Sequence, residues 1–219
     1  MLIFWYPPPY FLAMGGLKLM LLIVGIDVAL GPLLTLIVFD TRKKSLPFDL
    51  AFIAALQLGA LGYGIHAMQA GRPVFTVFTG EALFIVSASE IDPEELAKGR
   101  NEEFRHLSLS GPILVAAEPP NNPEEASGLA FAALAGMGIE HLPRYYVPFA
   151  EHRSRLLQAA RTLDELEQAV DKDILAKAHD HLQRMAPPAE TLLYLPVKTR
   201  REVLLGIVDA VSGELRDIL

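Results

Sequence analysis

The chain contains no cysteine among its 219 residues. That absence excludes disulfide frameworks, thiol catalysis and cysteine-based zinc sites. It does not decide the compartment, because an exported domain of this size can fold without disulfides. The Walker phosphate loop and the G-x-G-x-x-G, H-E-x-x-H and G-x-S-x-G motifs are absent as well. We therefore expect a protein without enzymatic activity, and we expect neither a cofactor nor a metal site.

Charge is scarce in the first third of the chain. Residues 71–219 carry 15 basic and 23 acidic side chains. Such an asymmetry indicates two parts that meet different solvents. The acidic part argues against nucleic acid as a partner, because phosphate binding needs clustered lysine and arginine. Residues 1–70 carry only seven charged side chains, which are Lys18, Asp27, Asp40, Arg42, Lys43, Lys44 and Asp49.

Two long apolar runs, Leu17–Phe39 and Leu50–Gly71, explain both the scarcity of charge and a mean hydropathy of +0.32. A helix of either length can cross a hydrocarbon core of ~30 Å. We predict a transmembrane helical hairpin over residues 17–71, with helices at 17–39 and 47–71. The alternative is a buried hairpin inside a soluble protein.

The short link between the two runs holds the basic triplet Arg42, Lys43 and Lys44. Positive charge in short loops stays on the cytoplasmic side of a membrane. We therefore interpret the triplet as the topology signal. Residues 1–16 and 72–219 are then expected on the opposite side, which in a bacterium is the periplasm.

The first 16 residues form a segment of their own in this interpretation. Residues 2–6 are apolar and aromatic, three prolines follow, and Trp5 and Tyr6 are of the types that favour the membrane interface. The segment lacks the basic region and the cleavage site of a signal peptide. We expect an interfacial segment that is the end of a truncated first membrane helix. The alternative is a short re-entrant segment.

Polar and helix-breaking residues inside the apolar runs are candidates for partner binding. A carboxylate such as Asp27 is costly within a bilayer and has to face protein, and Gln57 is a possible hydrogen-bond partner. Pro32, directly after Gly31, removes a helical hydrogen bond and favours a kink. Small residues such as Gly59 allow another helix to approach closely. Two interpretations stay open: these residues hold the hairpin together, or they offer a groove to the helix of another protein.

The acidic part, residues 72–219, alternates strand and helix signals. Residues 74–86 predict a β-hairpin and residues 192–218 predict a three-stranded meander, with several helices between them. We expect a periplasmic α+β domain with a mostly antiparallel sheet of about five or six strands. Tyr145 and Tyr146 lie in an aromatic segment between prolines, of a kind enriched at interfaces, and are further candidates for partner binding. Ordinary packing between two helices is the alternative.

A longer stretch of sequence carries a family resemblance. The sequence VGIDVALGPLLTLIVFDTRKKSLPFDLAFIAALQLGALGYGI, from Val24 to Ile65, resembles the type IV pilin accessory proteins of the TfpX/TfpZ family. The similarity continues more loosely through RPVFTVF, YVPFAEHR, AARTLDEL and the closing LLYLPVKTRREVLLGIVDAVSGELRDIL. Trp5-Tyr6-Pro7 is similar to the end of the apolar helix with which members of the family begin.

The resemblance implies a multi-pass protein of the bacterial inner membrane with its C-terminal domain in the periplasm. It implies a chaperone-like role in which the protein binds or stabilises the type IV pilin subunit and assists pilus assembly. The pilin subunit and the lipid bilayer are then the partners. It brings no catalytic residue with it. The alternative is a membrane-anchored periplasmic ligand-binding or sensor protein, although the short link leaves little room for a cytoplasmic output module.

Overall fold

The computed structural model describes residues 2–7, 9–38, 45–166, 192–200 and 202–219, together with positions 176, 178 and 180. The chain divides into two compact units. The hairpin unit is Gly15–Gly71, and the sheet unit joins Met1–Met14 to Arg72–Leu219. The first 14 residues, expected as a segment of their own, therefore belong with the sheet.

The described elements follow the chain in this order. The helices are α1 (Leu2–Trp5), α2 (Tyr10–Ala13), α3 (Gly16–Val38), α4 (Leu46–Gly71), α5 (Pro93–Ala97), α6 (Pro123–Leu134), α7 (Arg153–Ala159) and α8 (Leu163–Leu166). The strands are β1 (Pro73–Phe78), β2 (Leu83–Ser87), β3 (Ile113–Ala117), β4 (Tyr146–Pro148), β5 (Leu192–Lys198), β6 (Val203–Asp209) and β7 (Leu215–Ile218). Single 3-10 turns cover Ala88–Glu90, Glu102–Arg105, Ile139–His141, Pro143–Tyr145 and Phe149–His152.

The hairpin unit consists of the two long helices α3 and α4. Gly16–Ile37 and Leu46–Gly71 are long and apolar enough to cross a membrane, as the sequence predicts. Pro32 lies inside α3, where it cannot donate a helical hydrogen bond. One turn later the Thr35 hydroxyl donates to the carbonyl of Gly31 at 2.8 Å. The helix therefore continues past Pro32, and the Thr35 hydroxyl donates a side-chain hydrogen bond to the Gly31 carbonyl next to it.

Within the described residues, seven strands form one mixed sheet in the order β4-β3-β1-β2-β5-β6-β7. The hairpin of β1 with β2 and the meander of β5, β6 and β7 are antiparallel, as predicted. Two pairings, β1 with β3 and β2 with β5, are parallel. Four of the six pairings are antiparallel, so the expectation of a mostly antiparallel sheet is confirmed. The expected number of five or six strands is corrected to seven, and two of the pairings are parallel.

Both differences in the sheet have a physical reason. Parallel neighbours are joined by long crossovers, and the sequence does not reveal which two strands a crossover brings together. Strand β4 has only three residues and ends in proline, so it carries no alternating pattern that a sequence could reveal.

Strand β1 lies near the centre of the sheet, and all six of its residues are buried. Its nearly continuous apolar run is typical of a strand that is covered on both faces. Phe78 belongs to a cluster with Leu156 of α7 and Ala13 of α2. Phe75 belongs to a second cluster with Phe104 and Tyr146. Both faces of the strand are therefore filled by side chains from elsewhere in the sheet unit.

The N-terminal segment supplies part of that packing. Tyr6 is only 4 % exposed. The hydroxyl of Thr76, a fully buried residue of β1, donates to the Tyr10 hydroxyl at 3.1 Å. Pro7 lies against Gly111, where a Cβ atom would come within 2.7 Å of the proline Cγ. Tyr10 and Ala13 thus pack onto the sheet, and a contact of the N-terminal segment with a membrane surface stays a prediction.

Candidate partner-binding sites

The helices α3 and α4 contact each other through two glycines. At Gly31 a Cβ atom would collide with the side-chain amide of Gln57. At Gly64 a Cβ atom would lie 2.9 Å from Cδ1 of Ile23. Both glycines are buried, and each leaves the space that a side chain from the other helix fills. Two of the predicted site residues, Gly31 and Gln57, therefore hold the hairpin together.

Other small residues of the hairpin unit face open space. A Cβ atom at Gly25, Gly59 or Gly62 would have no neighbour within 4 Å. Pro32 and Gly59 are exposed. These two predicted site residues thus remain accessible to another helix, in contrast to Gly31 and Gln57.

The remaining candidates of the membrane part are described only in part. Asp27 belongs to α3, and its side chain lies outside the described residues. The triplet Arg42, Lys43 and Lys44 also lies outside them. The roles of Asp27 as a partner contact and of the triplet as a topology signal stay predictions.

Tyr145 and Tyr146 close one edge of the sheet unit, and both are buried. The Tyr145 hydroxyl donates to Oε1 of Glu125, at 2.7 Å. Arg144 stacks on the Tyr145 ring, with its guanidinium carbon 5.1 Å from the ring centre. Nε of Arg144 forms an ion pair with Oε2 of Glu95 at 3.3 Å. A partner could reach Arg144, whereas Tyr145 lies beneath it.

Tyr146 is a core residue of the sheet unit. Its ring meets Phe75 edge to face, with centroids 5.0 Å apart. Its hydroxyl donates to the carbonyl of Glu140. Burial raises the pKa of Tyr146 well above its usual range, and the nearby Glu140 carboxylate raises it further. Burial also raises the pKa of Tyr145, together with its hydrogen bond to Glu125. Both phenols therefore stay neutral and act as hydrogen-bond donors.

Two clefts of the sheet unit have no counterpart in the sequence analysis. The larger has a volume of about 700 Å³, and polar residues such as Glu90, His141 and Lys198 line it together with apolar ones. The smaller has a volume of about 480 Å³ and lies beside α6, lined by Leu129 and several alanines. Their walls come from distant parts of the chain, so no local motif could have revealed them. Among the described residues, no group of three or more histidine, aspartate or glutamate side chains could hold a metal ion.

The known proteins that match this chain are named fimbrial assembly proteins. The chain is 32% identical over 201 residues to "Fimbrial assembly protein, serogroup E1" of Dichelobacter nodosus, a match that covers 91% of the chain and 78% of that relative. It is 33% identical over 208 residues to "Fimbrial assembly protein, serogroup I" of the same organism, with the same coverage. A 43% identical match of 94 residues to "Fimbrial assembly protein, serogroups C1 and C2" covers 42% of the chain and 72% of that relative. No protein-family model and no solved structure matches the chain.

Proposed function

The chain belongs to the family of the fimbrial assembly proteins, and from that premise we propose that it is a non-catalytic accessory protein of pilus biogenesis in the bacterial inner membrane. In this proposal α3 and α4 cross the membrane and the sheet unit lies in the periplasm. The hairpin binds or stabilises the type IV pilin subunit, the partner that the resemblance of residues 24–65 implies.

The exposed apolar surface of the hairpin unit is the observation that carries the membrane assignment. Leu36 of α3 is 78% exposed, and Phe48 and Tyr63 of α4 are each 75% exposed. Water tolerates only small apolar patches on a soluble protein. Hydrocarbon removes the cost of such exposure along two whole helices, and both helices satisfy their own backbone hydrogen bonds, as the bilayer core requires.

The division of the chain supports the proposed topology. Met1–Met14 and Arg72–Leu219 flank the hairpin and belong to one compact unit. Two flanks that fold together have to lie on the same side of a membrane, so the link between α3 and α4 lies on the other side. A cytoplasmic link agrees with the basic triplet that it contains.

The open face of α4 is the proposed contact for the pilin. Gly59 and Gly62 leave room for the backbone of another helix to approach closely. Tyr63 lies four residues, about one turn, after Gly59 and therefore on the same face of the helix. Leu61 lies only two residues after Gly59 and therefore on the opposite face. Both side chains are exposed, Tyr63 by 75% and Leu61 by 41%. They form a matched pair for an experiment.

The test is photocrosslinking in cells that make the fimbrial subunit. A photoreactive phenylalanine derivative replaces Tyr63 in one strain and Leu61 in another, and the membranes are irradiated and blotted for the pilin. We expect a pilin adduct from position 63 and little from position 61. Equal adducts from both positions would indicate unspecific proximity, and no adduct at either position, with normal levels of both proteins, would contradict direct binding by α4.

A ligand-binding or sensor protein is the second candidate, and the cleft of about 700 Å³, lined by both polar and apolar residues, favours it. Lys198 is an exposed residue of that cleft. Under the first proposal, Lys198→Ala leaves pilus assembly unchanged while the crosslink from position 63 persists. Loss of pili in this variant, with the crosslink intact, would favour the second candidate.

A further inference from the structure

The larger cleft of the sheet unit has the size of a small-molecule site. Its volume of about 700 Å³ lies within the range of about 300–1,000 Å³ in which proteins hold such ligands. Its walls come from strand β2, from residues 89–93 that follow it, from the region of Met137 and from the end of β5. All of these belong to one compact unit, so the cleft is complete without the hairpin unit.

The carboxylates of this cleft are already engaged within the protein. Oε2 of Glu90 accepts from the backbone N–H of Ser87 at 2.8 Å and from its hydroxyl at 2.6 Å. Oδ1 of Asp92 accepts from a backbone N–H in the first turn of α5. Oε1 of Glu140 lies 3.6 Å from Nε2 of His141. Each acidic side chain of the cleft therefore has a partner close by in the sequence.

The basic side chains at the end of β5 differ in this respect. Lys198 and Arg200 both line the cleft, and both are exposed. Within the part of the chain that the structure describes, neither forms an ion pair with a carboxylate. Nζ of Lys198 lies 5.2 Å from the centre of the Phe84 ring, its neighbour in the parallel pairing of β2 with β5. The cleft thus presents two positive charges in a part of the chain where acidic side chains outnumber basic ones.

An apolar surface belongs to the same cleft. Phe84, Ile91 and Met137 line it, and Met137 is 53% exposed. A ligand with an apolar body removes such a surface from water, while a few charged or polar groups fix its orientation. The combination therefore favours a ligand that is apolar over most of its surface and negatively charged at one end.

We propose that the larger cleft binds a small monocarboxylic acid with an apolar or aromatic body. Its carboxylate lies between Lys198 and Arg200, and the planar guanidinium can donate two parallel hydrogen bonds to it. Its body lies against the apolar side chains of the cleft. A doubly charged phosphate is less suitable, because the three carboxylates of the cleft repel a second negative charge.

This inference goes beyond the binding of pilin, since it depends on the sheet unit alone. It gives the second candidate function a class of ligand. The crosslink from position 63 is a separate measurement, so a failure of the ligand proposal leaves the pilin proposal intact.

A fluorine label placed in the cleft tests the inference. The natural chain has no cysteine, so M137C in the purified full-length protein in detergent takes a single trifluoromethyl tag. V211C, at a position that is 80% exposed and outside the cleft, is the control. The ligands are naphthalene-2-carboxylate and its neutral analogue naphthalene-2-carboxamide, and equilibrium dialysis gives the free concentration of each.

We expect naphthalene-2-carboxylate to shift the fluorine resonance at position 137 saturably and to leave the resonance at position 211 unchanged. The carboxamide should bind about tenfold more weakly or worse, because it lacks the charge. The double change Lys198→Ala and Arg200→Ala should weaken binding of the acid by a similar factor. Lys98→Ala should leave binding unchanged, since this lysine pairs with Glu95 at 2.7 Å, outside the cleft.

Three results would each overturn the inference: no saturable shift at position 137, equal binding of acid and carboxamide, or unchanged binding without the two basic side chains. Equal shifts at positions 137 and 211 would indicate unspecific contact with the ligand and would overturn it as well. Lys198 and Arg200 are exposed, so the double variant should keep the thermal unfolding of the unchanged protein, which shows that lost binding is not lost folding.

Discussion

The two units of this protein use apolar residues in opposite ways. In the sheet unit, side chains such as Phe75 and Leu195 are completely buried. In the hairpin unit, side chains of the same kind, such as Leu36 and Phe48, are three-quarters exposed or more. Burial of apolar surface stabilises a fold only where water is the alternative. The contrast agrees with the proposal that the two units meet different solvents, and the following predictions test it.

The largest expected effect is a loss of stability from the core of the sheet unit. Phe75→Ala removes a fully buried ring that packs on Tyr146 and should lower the free energy of unfolding by about 3–5 kcal/mol. Trp5, the single tryptophan of the chain, lies in α1 of the sheet unit and reports its unfolding by fluorescence in detergent. The matched change Leu36→Ala in the hairpin unit should leave this transition unchanged. Equal losses from both variants would contradict the division into two solvents.

The next effect concerns insertion into the membrane. Leu58→Arg brings a charge to an exposed position near the middle of α4, which costs about 3 kcal/mol at the centre of a bilayer. The fraction of protein that resists carbonate extraction from membranes should fall. Val211→Arg, at a position of the sheet unit that is 80% exposed, should have no effect. Full retention of the Leu58 variant would contradict membrane crossing by α4.

A smaller effect distinguishes the two faces of α4. Gly64→Ala forces Ile23 to move, and overpacking of this kind costs about 1–3 kcal/mol. Gly59→Ala meets open space and should be neutral or gain up to about 1 kcal/mol from helix propensity. Thermal unfolding of the purified protein in detergent, followed by helical circular dichroism, measures both changes. In cells, Gly59→Ala should weaken the crosslink from position 63 if the pilin helix docks there, and an unchanged yield would argue against that docking face.

The smallest effect is a pH dependence confined to the sheet unit. The backbone amide of Ser212, the Arg216 guanidinium and the backbone amide of Val211 lower the pKa of Asp209 to about 2. A lowered pKa stabilises the folded state above the ordinary carboxyl pKa, and this stabilisation is lost as pH falls from about 4 towards 2. Asp209→Asn should therefore slightly reduce the loss of folding stability between about pH 4 and pH 2, measured by Trp5 fluorescence. Leu58 variants should leave this pH dependence unchanged. An unchanged pH dependence in Asp209→Asn would contradict a role of the Asp209 carboxylate in acid stability.

The sequence predicted those features that depend on local patterns. Two apolar runs gave the helices α3 and α4, because a run of that length has few alternatives to a helix. The hairpin of β1 with β2 and the terminal meander followed from short segments rich in β-branched and aromatic residues on either side of turns. The resemblance of residues 24–65 pointed to the family that the relatives from Dichelobacter nodosus also indicate.

The candidate site residues show what the sequence pattern could not predict. Gly31 and Gly59 look alike in the sequence, since each is a small residue within an apolar run. In the structure Gly31 receives the amide of Gln57, while Gly59 faces open space. Tyr145 and Tyr146 are candidate interface residues in the sequence, and both are buried in the structure, whereas the neighbouring Arg144 is partly exposed. Which side of a helix packs against another element depends on both elements, so the sequence of the helix alone does not predict it.

By itself, the amino-acid sequence determined the two long apolar helices and the antiparallel pairs β1–β2, β5–β6 and β6–β7. Composition and short-range periodicity suffice for these, because a few consecutive residues carry the whole signal. Only the tertiary structure decided the parallel pairings, the contact of Tyr10 with Thr76 of β1 and the exposure of α6. Each of these features depends on contacts between residues far apart in the chain. Such contacts stabilise the fold only after the chain between the two residues has closed into a loop, so no short stretch of sequence reveals them.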